Sequence, residues 1–354
     1  MIRNIESMRK LSKIEIRDYS RSLLPILENN EVDGIRDARI VDAIISYAFK
    51  GLKQWYRRGS ALQGFVSPSF NPMKVIEGYL IYPVPGMNPV VIQSSALGNA
   101  YLFLDIVGAG GGGGGGASGT VTSSAGNGQG GGGGADGGRL IVMTQGPFPS
   151  GTQFIPAFGG PGGSGTPGPS TGCGNGENDP GPSGNTQVVI PNGTISITVP
   201  GGSPPSMPTP PTGQCSGGLG GPGGSAVFTS LSSTSIFSTI QLPPRSTANA
   251  TANVNSGNGG QGVGSEYFDP TNSMPIFISN PLGATVNGGG AGVSGSANGK
   301  GGYGATVNVP SGTVPLRGSG GGGGGGLNSS VGPANAGGNG GPGGPGPIIV
   351  LVIE

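Results

Sequence analysis

Eighty of the 354 residues are glycine, and their distribution is lopsided. Seven precede Val107, while 73 fall in the 247 residues that follow it. Unbroken runs occupy residues 110–116 and 320–326. A glycine run has no side chains to bury, so it cannot build an ordinary apolar core. Such a chain either stays disordered there or orders itself through main-chain packing. Glycine and proline together make about a third of the chain, a share that ordinarily signals low complexity. Disorder of that kind usually carries a high net charge, whereas the formal charge here is +1 and only 9% of residues are charged. A small, polar, nearly neutral composition fits a weakly charged outer surface better than a solvated tail.

The charges are segregated. Residues 1–60 hold 12 of the 17 Lys and Arg and 8 of the 16 Asp and Glu, a net of +4. The remaining chain has a net of −3. Three segments follow from this and from the patterning: a helical attachment module at 1–59, a β connector at 60–107, and a glycine-rich domain at 108–354. In the first, Ile5, Met8, Ile16, Tyr19 and Leu23 form a weak stripe at helical spacing. Ala38, Val41, Ile45, Ala48, Phe49, Leu52 and Tyr56 form a stronger one, with Asp33 as its N-cap and Gly59 as its stop. The plainer expectation is a helical pair burying its own stripes. The alternative is a docking module in which Val41, Ile45, Phe49, Leu52, Trp55 and Tyr56 meet a larger particle. A basic amphipathic membrane helix is disfavoured because Asp37 and Asp42 interrupt the positive face.

The connector predicts strands at Val75-Ile76-Glu77-Gly78-Tyr79-Leu80-Ile81-Tyr82, Val90-Val91-Ile92 and residues 101–107. Beyond it, a Pro-x-Gly-Thr turn recurs at Pro149, Pro191 and Pro310, each between β-prone segments and each followed by glycine. This predicts three hairpins: residues 140–143 with 153–155, 187–190 with 195–199, and 305–309 with 314–316. The apolar C-terminus, Ile348-Ile349-Val350-Leu351-Val352-Ile353, needs a strand partner, and residues 102–107 are the expected one. The expected fold class is therefore mainly β and irregular: a helical module, a β connector and short hairpins aligning an array of polyglycine-II helices. In that conformation, with three residues per turn and no internal hydrogen bonds, glycine main chains can approach and bond to one another. A collagen triple helix is disfavoured because strict every-third glycine fails outside residues 340–347.

Function classes narrow by elimination. Histidine is absent, which removes the commonest general base and metal ligand. No cofactor or metal site is expected. Asp105, Asp136, Glu177, Asp179, Glu266 and Asp269 could pair as glycosidase carboxylates do, but those close in sequence sit in turn-like segments and read as solvated charges. No Gly-Lys-Ser/Thr follows any glycine run, and five basic residues after position 60 are too few for RNA binding. An enzyme is not expected. Cys173 and Cys215 could close a disulfide in an oxidising compartment or remain free thiols. The N-terminus, Met1-Ile2-Arg3-Asn4-Ile5-Glu6, lacks the apolar run of a secretory signal, so an extracellular role implies release by lysis as part of a particle. Phe148, Phe154, Phe158, Tyr267, Phe268 and Tyr303 are the aromatic candidates for a binding surface, or else fillers of seams between segments.

At residues 108–116, 130–134, 217–224 and 320–326, and in the passage Ile106-Val107-Gly108-Ala109-Gly110-Gly111, the chain resembles the glycine-rich domain of phage tail-fibre adhesins, T-even-like tip adhesins in particular. The likeness spans residues 100–354. It implies a virion protein whose distal loops bind host polysaccharide or an outer-membrane protein, with residues 1–107 held by other virion proteins. A minor capsid or vertex protein of the same architecture, and an ice-binding structural protein, are the competing expectations.

Overall fold

The computed structural model describes residues 7–29, 35–49, 73–84, 89–92, 100–114, 134, 137–144, 151–161, 163, 183–189, 196–203, 237–241, 266–269, 274–277, 286–287, 306–309, 312–315 and 342–354. It contains two helices and several antiparallel sheets. The main sheet has six strands in the order β1 (Met8–Lys10), β2 (Val75–Ile81), β15 (Ile348–Ile353), β4 (Tyr101–Val107), β5 (Arg139–Thr144) and β9 (Phe237–Gln241). These strands come from all three segments marked out in the sequence. A second sheet has the order β3 (Val90–Ile92), β6 (Thr152–Ile155), β7 (Thr186–Val189) and β8 (Ser196–Val199). Two smaller sheets are built from β10 (Glu266–Asp269) with β11 (Met274–Phe277), and from β12 (Val286–Asn287), β13 (Thr306–Val309) and β14 (Gly312–Pro315).

Helix α1 (Lys13–Asn29) begins at a capping box. The Ser12 amide donates to Glu15 Oε2 at 2.7 Å and the Glu15 amide donates back to Ser12 Oγ at 3.3 Å, satisfying two amides the helix cannot. Ile16, Tyr19, Leu23 and Leu27 recur at helical spacing and are buried. Helix α2 (Ile35–Ala48) buries Ile40, Val41, Ile44, Ile45 and Ala48. These stripes do not close on each other alone. They share one apolar cluster with Leu80, Phe103, Ile141, Met143, Ile349, Leu351 and Ile353 on one face of the six-stranded sheet. Met8, expected on a helical stripe, lies instead on β1, opposite Ile81. Ile5, Asp33 and Gly59 lie outside the described residues.

The opposite face of that sheet carries Leu102, Leu104, Ile106, Leu140, Val142, Ile348, Val350 and Val352. They pack on Phe154, Val188, Ile197 and Val199 of the second sheet. The result is three layers: helices, a six-stranded sheet and a four-stranded sheet. A strand covered on both faces must be apolar at successive positions, which is why β4, β5 and β15 read as continuous runs. Burial of the six β15 side chains alone supplies roughly 1.5–3 kcal/mol each in transfer free energy. The C-terminal strand pairs with β4 over Ile348↔Ile106 to Ile353↔Tyr101, as its apolarity predicts, and with β2 on its other edge.

Two expected hairpins are present. β7 pairs with β8, and β13 with β14. The third requires correction. Residues 140–143 lie in β5 and pair with β4 and β9, whereas Gln153, Phe154 and Ile155 lie in β6 and pair with β3 and β7. The cause is burial. Leu140-Ile141-Val142-Met143 needs cover on both faces and takes a central place in the main sheet. β6 alternates buried and half-buried residues, which suits a sheet with one covered face. Gly151, in the turn before β6, has φ of 84°, a conformation that favours glycine.

Candidate functional site

The glycine-rich segments meet at one end of the stacked sheets. β4 runs toward that end, while β5 and β15, antiparallel to it, start there. In the second sheet β6 and β8 end there and β7 starts there. Residues 108–114, which extend β4, are buried throughout without an apolar side chain larger than that of Ala109. Their main chain bonds to four neighbouring segments. Gly108 N–H donates to Gly138 O at 2.7 Å, and Gly110 N–H to Gly344 O at 2.9 Å. Gly110 O accepts from Gly160 N–H at 2.9 Å, and Ala109 O from Gly202 N–H at 2.7 Å. The neighbours also bond to one another: Gly138 N–H to Pro200 O, Gly343 N–H to Gly160 O, and Ala157 with Gly346 in both directions.

The contacts recur at every third residue. Gly160 and Gly163 donate to Gly110 and Gly113, respectively. Gly108 and Gly111 face Pro200 and Ser203. Gly137 and Gly134 face Gly108 and Gly111, and Gly346 and Gly343 face Val107 and Gly110. These approaches leave no space for a side chain. A Cβ would stand 1.9 Å from Pro161 O at Gly112, 1.9 Å from Gly343 O at Gly159, and 2.0 Å from Gly110 O at Gly343. Polar side chains pin the margin: Ser183 Oγ donates to Gly202 O at 2.6 Å, Thr186 Oγ1 to Gly346 O at 3.1 Å, and Asn185 Oδ1 accepts from Gly201 N at 3.1 Å. Sequence reasoning passed over these three residues. Their signal was a Ser-Gly-Asn-Thr stretch between a proline-glycine segment and a strand. Among the described residues of the bundle none is charged.

At the sheet–helix interface lies the one strongly polar cluster that the described core contains. Arg139 Nε and Nη2 donate to the two carboxylate oxygens of Asp105 at 2.8 and 2.7 Å. Tyr19 Oη donates to Asp105 Oδ2 at 2.8 Å. Asp105 is fully buried and Arg139 nearly so. Burial opposes the charge on Arg139, but the adjoining Asp105 carboxylate and Tyr19 outweigh it and raise the guanidinium pKa. The cluster ties α1, β4 and β5 together and is closed to any substrate. From the sequence Asp105 was weighed only against other carboxylates, and nothing there joined Asp105 to Arg139, 34 residues away. The informative signal was a carboxylate inside an apolar strand and a guanidinium at the head of another.

The aromatic candidates divide. Phe158 is 48% exposed, where the second sheet meets the glycine bundle. Phe154 is corrected as a surface contact, because its ring is fully buried between the sheets. Tyr267 and Phe268 lie on β10, opposite Ile276 and Pro275 of β11. Phe148 and Tyr303 lie outside the described residues. Of the attachment candidates, Val41 and Ile45 are also corrected: both are buried in the core shared with the sheet and unavailable to a partner. Phe49 is partly buried against that core. Leu52, Trp55 and Tyr56, like Cys173 and Cys215, lie outside the described residues. No described helix is long and apolar enough to cross a membrane. No protein-family model matches the chain, and no curated protein matches it.

Proposed function

We propose that the protein is a virion component, a phage spike or tail-fibre-tip adhesin, whose glycine bundle is a polyglycine-II array. The observation that carries this reading is the three-residue recurrence of main-chain contacts around residues 108–114. It matches a helix of three residues per turn, in which every third residue faces the same neighbour. Side chains are excluded from the inside of such an array, so recognition falls to residues at its far end and flanks. The described segments ending at Gly114, Gly163 and Ser203 point away from the sheets, and the chain that joins them to Gly134, Ser183 and β9 starts from that end. Exposed Phe158 offers a ring on the flank for a sugar face or a protein side chain.

In this reading the layered base, with its two helices, is held by other virion proteins. The attachment surface is formed by residues of 1–107 other than Val41 and Ile45. The ligand is a host polysaccharide or outer-membrane protein, and no catalysis is assigned. The test is adsorption. Purified protein, or antibody raised against residues 110–345, should block attachment of the particle to its host cells. Unimpaired attachment, with the protein detected in the particles, would favour a purely structural vertex or capsid role.

A further inference from the structure

The last strand of the chain is the middle of the molecule. β15 lies between β2 and β4 and bonds to both along its length. Its six side chains are at most 1% exposed and alternate between the two cores: Ile349, Leu351 and Ile353 toward the helices, Ile348, Val350 and Val352 toward the second sheet. Just upstream, Gly343 and Gly346 seat against Gly110 and Val107, and Thr186 donates to Gly346 O. Glu354 and Lys74 exchange main-chain bonds at the far end of the strand. Residues 342–354 therefore touch the helix-covered core, the inter-sheet core and the glycine bundle.

We infer that the slot between β2 and β4, continued by the groove beside residues 107–110, is a peptide-binding site whose ligand is the C-terminal segment 342–354. The segment acts as a strand latch. It recognises the slot through two rows of main-chain hydrogen bonds, two opposed apolar faces and a glycine-proline lead that fits where no Cβ can. In the sheet β15 alone stands between β2 and β4. This inference stands on pairing and burial alone and does not depend on the adhesin reading.

The test cuts the folded protein. A protease site is inserted between Asn339 and Gly340, the full-length chain is purified folded, and the site is then cleaved. The released C-terminal piece should co-elute with the body as one species of uncut mass, and it should separate only in denaturant. Labelled peptide of residues 342–354 should enter the slot after denaturant pulses and not before. In the same cut protein, Leu351→Asp should release the segment or prevent its recapture. Ile76→Asp, at an exposed position on β2, should leave it bound. Loss of the piece from a still-folded body on cutting would overturn the inference, and so would retention of the Leu351→Asp segment.

Discussion

At the scale of single residues, a missing methyl group decides where the glycine segments can meet. Gly112, Gly159 and Gly343 each place a hypothetical Cβ at about 2 Å from a carbonyl oxygen of another segment, closer than any real contact. The obstacle is backbone and cannot rotate away. Gly112→Ala or Gly343→Ala should lower stability by ~1–3 kcal/mol or more through overpacking, read by denaturant unfolding. Gly184→Ala should cost clearly less, since its nearest obstacle is the Ala157 Cβ at 3.2 Å, a tight contact that a shift of a few tenths of an ångström relieves. Equal effects at the two kinds of site would mean that the close approaches are not in the folded state. The Asp105–Arg139 pair obeys a different rule. Asp105→Asn leaves a buried guanidinium without its carboxylate and should cost ~3–5 kcal/mol. Replacing both together, Asp105→Leu with Arg139→Met, should cost much less, because desolvation of two charges is removed along with their attraction.

Between elements, the links are the capped start of α1, the β1–β2 edge and the central strands. Burial alone would raise the Glu15 pKa, but hydrogen bonds from Arg9 and Ser12 outweigh it and hold the carboxylate below its usual value. Lys10 and Tyr79 hold Glu77 low in the same way, while burial and Glu77 push Tyr79 up to about 12. A carboxylate with a depressed folded-state pKa contributes stability above its unfolded pKa. That stability is lost as pH falls through the folded value. The melting temperature should therefore drop in acid, below the ordinary glutamate range, and Glu15→Gln should flatten part of that drop. An identical acid profile for the variant would mean that the Glu15 carboxylate carries none of that drop. The same scale shows what the sequence could reveal. The Gln187-Val188-Val189 and Ile197-Thr198-Val199 hairpin was readable because alternation and an Asn-Gly turn agree. The break between β5 and β6 was not, because a turn signal alone cannot say whether the strands on either side share a sheet. Burial of Phe154, Val41 and Ile45 was among the readings the sequence allowed, but what buries them was not legible. Their neighbours come from strands far along the chain, and exposure is a property of the assembled layers.

Over the whole molecule, the three layers act as a clamp. They hold the ends of six glycine or proline segments at fixed spacing, and this lowers the entropy cost that would otherwise keep such segments apart. The sequence indicated that any order there had to come from main-chain packing, with disorder as the alternative. It could not indicate which runs would touch, because runs without side chains carry no pattern to match. The answer lay in the strands that flank them. Native-state amide hydrogen exchange at residues 108–114 tests this most directly. Gly108 and Gly110 should be protected to a degree approaching that of the neighbouring amides of β4, since both donate to other segments within the clamp. Exchange there as fast as in an unstructured peptide, with β4 still protected, would mean that the glycine bundle does not exist.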